Sequence, residues 1–198
     1  MKFTNNSTIK DHFVVKIPIF QFTKIFYIFF IFTASSCVTE RPIDLSSFPN
    51  EDRTMFLHNF TNQTFTGDIQ RELTEVMRSE IIRRGNFRLL PEREKAALGL
   101  YGEVTVYRKE GRMYDNYRTP VRWEVIMAVK IRIREMKPKS GPGFSAIKEV
   151  SAVVDFSDRE GFVESEFEAR ERLIRRLAMR INQTIEAEYA KYYGGVYN

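Results

Sequence analysis

The chain has 198 residues, 43% of them hydrophobic and 29% charged, a globular composition sized for one ordinary domain. One Cys excludes an internal disulfide framework and a Cys-rich zinc centre. Two His, His12 and His58, leave little for a His-based metal site or a Ser/His/Asp or Cys/His catalytic centre, and neither glycine-loop nucleotide signature is present.

Residues 1–36 read as a targeting leader. They hold Lys2, Lys10, Lys16 and Lys24 against one acid, Asp11, and 9 of the 27 aromatics. The apolar run IFYIFFIF at 25–32 is followed by Thr33-Ala34-Ser35-Ser36 and then Cys37. A basic n-region, a short apolar core and small residues make a secretory signal. Ending on the sole Cys, the pattern resembles a bacterial lipobox, in which the Cys becomes the acylated first residue. Ala34 stands where that pattern prefers Leu. The alternative is an uncleaved anchor, but the apolar run is only about ten residues, roughly 15 Å of helix against the ~30 Å of a hydrocarbon core. Without 1–36 the formal net charge falls from +5 to +2, with 27 basic and 25 acidic residues remaining. The basic pI is therefore no argument for nucleic acid.

Residues 37–53, with two Pro and no periodicity, read as the lipidated Cys and a tether, and 54–198 as the domain. Residues 54–60 (TMFLHNF) predict a first strand. Over 67–84, Ile69, Leu73, Val76, Met77 and Ile81 recur on one face of a 3.6-residue period, which predicts a helix. Asp68 lies at its positive end, Arg83 and Arg84 at its negative end, and Gly85 at its close. Residues 87–90 read as a short extended piece, and 91–97 as one or two helical turns opened by Pro91.

Residues 98–108 alternate, with Leu98, Leu100, Val104 and Val106 on one side and Tyr101, Glu103, Thr105 and Tyr107 on the other. A long loop is expected at 109–120. Residues 121–135 alternate more strictly, 137–145 form a Gly/Pro turn, and 147–156 return as a strand, giving an antiparallel meander. A last helix is predicted from Ser165 to Tyr193 on a stripe running from Phe167 to Tyr192, closed by Gly194. Its length, about 29 residues or 44 Å, exceeds what a four-stranded sheet needs to cover it, so its end is expected to project or meet a partner. The fold class is α+β: a two-layer sandwich, a mixed, mostly antiparallel sheet of about four strands with two amphipathic helices on one face.

The order and spacing of these pieces resemble the LPS-assembly lipoprotein family, LptE. After the lipobox, a strand ends in Phe60-Thr61-Asn62-Gln63-Thr64, followed by the helix Leu73-Thr74-Glu75-Val76-Met77-Arg78 and the strand Leu100-Tyr101-Gly102-Glu103-Val104. A hairpin and a helix with Leu177-Ala178-Met179-Arg180-Ile181 complete the pattern, which covers about 54–185. The resemblance implies a non-enzymatic protein without cofactor. It would sit at the inner face of the outer membrane, held by the acyl chains of Cys37, plugging the β-barrel of the LPS translocon (LptD-like) and helping insert lipopolysaccharide.

The residues offer a physical counterpart. Lys130, Arg132 and Arg134 occupy consecutive outward positions of the 121–135 strand, about 6.6–7 Å apart, with Arg122 further along the same face. Such a cationic ribbon suits phosphorylated glycolipid or an anionic barrel wall. The bland alternative is a solvated face neutralised by Glu103, Glu149 and Asp155. Arg112, Tyr114, Tyr117 and Arg118 in the 109–120 loop suit phosphosugar contact or form an ordinary surface loop. Arg170, Arg172 and Arg176 are read as scattered charges on the outer face of the last helix. A similar order of pieces also occurs in lipoprotein regulators of peptidoglycan synthesis and in secretion-type periplasmic modules. An enzyme would have to work through acids such as Asp155, Asp158 and Glu160, which lack a base, metal or nucleophile.

Overall fold

The computed structural model describes residues 45–138, 143–157 and 164–194; the leader, Cys37, Asp158 and Glu160 lie outside the described residues. The chain divides into two units, Met1–Arg41 and Pro42–Asn198, and the fold below is that of the second.

The class is the expected one, α+β with two helices on a mixed sheet, but the sheet has six strands. They are β1 (Thr54–Leu57), β2 (Thr61–Asn62), β3 (Arg88–Leu89), β4 (Leu98–Tyr114), β5 (Pro120–Glu135) and β6 (Ser145–Phe156). The order is β3-β1-β4-β5-β6, with β2 also on β4. β1 is parallel to β3 and β4, and β2 is parallel to β4. These parallel pairs require a crossover, and helix α1 (Ile69–Arg84) supplies it. β4, β5 and β6 form the antiparallel meander. Of the one or two turns expected over 91–97, residues Arg93–Lys95 form a single 3₁₀ turn.

The strand read over 54–60 breaks at His58 because Phe60 turns inward. The Phe60 N–H donates to Thr74 Oγ1 at 3.0 Å, and the Phe60 ring covers Gly102, where any Cβ would meet ring carbons at 2.7 Å. Asn62 Oδ1 accepts from the N–H and hydroxyl of Thr64, both at 2.8 Å, and its amide donates to Thr66 O at 2.7 Å. The Phe-x-Asn-x-Thr segment, the Leu-Thr helix start and the Leu-x-Gly-x strand thus form one packing unit that fixes β2 and α1 on β4.

A bulge displaces the faces of β4. The β4–β5 register shifts between Val104, opposite Val129, and Val106, opposite Ala128. Beyond Thr105 the inward residues are therefore Tyr107 and Lys109, not Val106. Tyr107 packs against the core, where burial pushes its phenol up. Lys109 Nζ lies 4.3 Å from the Trp123 ring centroid and 2.6 Å from Glu166. Most of the expected 109–120 loop is strand: β4 runs to Tyr114, and only 115–119 turn. Arg118 holds φ 62° there, and Asp115 Oδ1 accepts the N–H groups of Tyr117 and Thr119 at 2.9 Å each.

Both helices bury their apolar rows against the inner sheet face, and Leu73 and Leu177 are fully buried. Helix α2 (Glu166–Tyr193) begins with a capping box: Ser165 Oγ accepts the Glu168 N–H at 3.2 Å, and the Glu168 carboxylate accepts the Ser165 N–H at 2.8 Å. Its buried face includes Ala169, Asn182, Glu186 and Tyr193, whereas Phe167 and Tyr192 are exposed. The helix end does not project. Tyr189 meets Phe48 and Phe87 edge-on at 5.4 Å each and lies 4.5 Å from Tyr193, and Phe144 packs on Tyr192 at 4.8 Å. Leu45 is fully buried too, so the stretch read as tether is packed on the domain from residue 45 onward.

The two helices are also joined through buried acids. Arg84 donates to Glu80 at 3.0 Å and reaches Glu186 at 3.4 Å, while Asn86 and Asn182 donate to Glu186 at 2.7 and 2.6 Å. On the other flank, Arg172, Arg176 and Arg180 lie at i, i+4 and i+8 of α2. They donate to the backbone carbonyls of Asp155, Val153 and Ser151 at 2.8, 2.7 and 2.6 Å. Arg170 forks onto Glu72, and Arg172 also reaches Glu164 at 2.6 Å. The arginines read as free outer-face charges are therefore structural.

Candidate functional site: the basic outer face of the sheet

Strand alternation on β5 puts Val129, Ile131 and Ile133 in the core and leaves Lys130, Arg132 and Arg134 exposed on the opposite face. Lys130 stands between Glu103 of β4 and Glu149 of β6, Arg132 between Tyr101 and Ile147, and Arg134 between Gly99 and Ser145. Among the described residues none of these three cations makes an ion pair. Glu103 accepts from Gln63 Nε2 at 2.7 Å, and Asp155 takes Arg122 at 3.2 Å. The acids that could neutralise the ribbon are thus partly engaged elsewhere, and the register opposes only Lys130 to acids.

A recess of about 230 Å³ opens beside the ribbon. His58, Tyr101, Glu103, Lys130, Arg132 and Ile147 contribute to its lining. Its wall is aromatic: His58 lies 5.3 Å from Tyr101 and 6.3 Å from Phe56. Ile147, 52% exposed and opposite Arg132, adds one aliphatic side chain beside the cations, while Glu149 and Ser151 separate it from the exposed Val153 further along the same face of β6. A basic ribbon flanked by aromatic and aliphatic side chains can hold an anionic amphiphile or an acidic protein wall. The alternation that assigns Val150 and Ala152 inward necessarily turns Ile147 and Val153 outward.

The other expected contact residues do not join this ribbon. The hairpin tip lies ten residues along β5 from Lys130, roughly 34 Å at strand rise. Arg112 is held there by both oxygens of Glu124, at 2.7 and 2.8 Å, and that hydrogen-bonded carboxylate raises its pKa. Tyr114 folds back, its hydroxyl donating to Gly111 O at 3.2 Å. Tyr117, 89% exposed, and Arg118 project from the turn. Arg122 is committed to Asp155. The set of eight therefore divides into a ribbon of three cations without ion pairs, a separate tip of Tyr117 and Arg118, two arginines used as struts, and Tyr114 folded back on Gly111. Among the described residues no group of three or more His, Cys, Asp or Glu side chains could hold a metal, and no helix is long and apolar enough to cross a membrane.

A two-helix, six-stranded α+β sandwich with a polar outer sheet face defines the class of protein. Its pattern matches the family model described as LptE, lipopolysaccharide-assembly, over residues 53–185, and the chain belongs to that family. Among solved structures it is similar to rare lipoprotein B from Shewanella oneidensis, with 13% identity and TM-score 0.49, covering 70% of this chain and 98% of that one. It is also similar to the hypothetical protein CT253 from Chlamydia trachomatis, with 11% identity and TM-score 0.47, covering 68% and 96%. Lipoprotein B from Nitrosomonas europaea is similar at 10% identity and TM-score 0.45, covering 72% and 88%. No curated protein sequence matches the chain.

Proposed function

We propose that the protein is a non-catalytic lipoprotein of the outer membrane, acylated at Cys37, that assembles with and plugs the LPS-translocon β-barrel and aids lipopolysaccharide insertion into the outer leaflet. Membership of a lipopolysaccharide-assembly family supports the role. The observation that carries the contact surface is the unpaired ribbon Lys130–Arg132–Arg134 on β5. Three like charges on one strand face repel one another, and an anionic partner relieves that repulsion. Tyr117 and Arg118 at the hairpin tip form a second contact.

The test compares charge reversals. Lys130→Glu/Arg132→Glu/Arg134→Glu should abolish lipopolysaccharide binding or recovery of a large β-barrel from outer-membrane extract, with the melting temperature unchanged. The comparison reversal is Arg71→Glu/Arg78→Glu/Arg175→Glu on the helical side, because Arg170, Arg172 and Arg176 hold the fold. Binding should weaken with salt, since exposed charges are screened over roughly 8–10 Å at physiological ionic strength. Equal binding by the ribbon variant and wild type would remove the assignment.

A further inference from the structure

We infer that the end of the domain where the chain enters is a docking surface for anionic phospholipid headgroups. The inference rests on the acylation of Cys37 proposed above. Only residues 38–44 separate Cys37 from Leu45, which is fully buried. Eight residue steps reach at most about 26–29 Å. An acyl chain on Cys37 therefore keeps this end of the domain within that distance of the leaflet holding it.

The surface there is basic and aromatic. Arg53 and Arg88 meet where the Arg88 N–H donates to Arg53 O at 2.8 Å, and both line a recess of about 390 Å³ with Asn50 and Asn86. Glu51 is the acid of that recess. Arg53 donates through Nη2 to Asn50, but its buried Nε finds no partner, and Arg88 makes no ion pair among the described residues. The register carries the same end across the sheet: Met55 pairs Leu98, Leu98 pairs Glu135, and Lys137 follows, exposed. The contacts of Phe48 with Tyr189 and of Phe144 with Tyr192 bring in the last turn of α2, with Lys191 exposed and Tyr192 40% exposed. Unpaired Arg and Lys beside a half-exposed Tyr is the composition that sits at a phosphate-rich membrane interface. Lys130 and Arg132 point out from the sheet face farther along β5, whereas Arg134, opposite Gly99 and next to Glu135, adjoins this end.

The experiment uses the membrane-extracted protein reconstituted into phosphatidylcholine vesicles with or without phosphatidylglycerol. A fluorophore is placed at Lys137→Cys, or at Tyr117→Cys on the hairpin tip, and quenched by a headgroup-labelled lipid. The Lys137 probe should be quenched strongly only with phosphatidylglycerol, and the Tyr117 probe in neither vesicle. Each basic side chain near a surface is worth about five-fold in association, so Arg53→Gln/Arg88→Gln should cut the docking equilibrium constant at least ten-fold. Arg53→Lys/Arg88→Lys should restore it, which separates charge from fold. Arg71→Gln/Arg78→Gln/Arg175→Gln on the helical side should leave it unchanged. Equal quenching in both lipids, persistence in the Arg53→Gln/Arg88→Gln variant, or equal loss in the helical-side variant would overturn the inference. A mass spectrum without acyl mass on Cys37, with phosphatidylglycerol-dependent quenching intact, would remove the acylation reading alone.

Discussion

Arg176 of α2 donates a hydrogen bond to the backbone carbonyl of Val153 at 2.7 Å, across the outer edge of β6. With Arg172 and Arg180 it occupies three successive edge carbonyls, at Asp155, Val153 and Ser151. β6 ends the strand order, and an open edge is a template for another chain. Replacing the three arginines with Gln should cost roughly 1 kcal/mol per lost bond and make the protein self-associate as concentration rises. Sedimentation velocity across a concentration series checks this, and a variant that stays monomeric would show that the edge needs no cover.

Leu73 and Leu177 pack from different helices into the same core, both with no exposed surface. Either residue changed to Ala should cost on the order of 2–5 kcal/mol. Urea unfolding with unchanged slope reads the loss. Two unaffected midpoints would mean the helix faces are misassigned.

Gly102 is the seat of the Phe60 ring, and an added Cβ would stand 2.7 Å from three of its carbons. Gly102→Ala should therefore destabilise by about 1–3 kcal/mol through overpacking. Phe60→Leu made in the same chain should recover part of that loss, because the two residues touch and their effects do not add. A strictly additive double mutant would contradict the contact.

Glu80 gives the fold a sign in pH. Burial pushes its carboxyl up, but hydrogen bonds and charges from Arg83 and Arg84 outweigh this and hold it below the ordinary carboxylate value. A carboxyl depressed in the folded state stabilises fully above its unfolded value, and that contribution disappears as pH falls through the folded one. Wild type should thus lose more stability than Glu80→Gln between about pH 5 and pH 2. Parallel melting curves over that range would sink the argument.

Periodicity made the helices and the meander legible, because Leu73, Met77, Ile81 and the β5 alternation report burial directly. The Ser165-x-x-Glu168 capping box, seen only in the structure, fixes where the last helix starts. Three further features were not legible. The bulge at Thr105 reverses which β4 side chains face inward, and nothing local in LGLYGEVTVYR marks it. The two-residue strand β2 exists through pairing with β4 and has no pattern of its own, whereas β3 falls within the short extended piece read at 87–90. The pairing of each cation depends on register, so Arg112, Arg122 and Lys130 look alike in sequence yet differ in partner. The motif that carries the family resemblance proved to be packing, Phe60 on Gly102 and Thr74, which identifies the fold and leaves the contact surface to be read from charge.

The β4–β5 hairpin outruns the sheet that supports it. β6 pairs β5 only as far as Trp123, opposite Phe156, so among the described residues, 112–122 have no third strand. A two-stranded ribbon is marginal by itself, and opening it leaves the core untouched. Backbone amides at 112–119 should exchange with solvent through local openings, while those at 125–133 wait for global unfolding. Tyr117 and Arg118 can therefore be reshaped, lengthened or replaced with little loss of global stability, whereas the ribbon of Lys130, Arg132 and Arg134 is welded to the most protected strand of the domain.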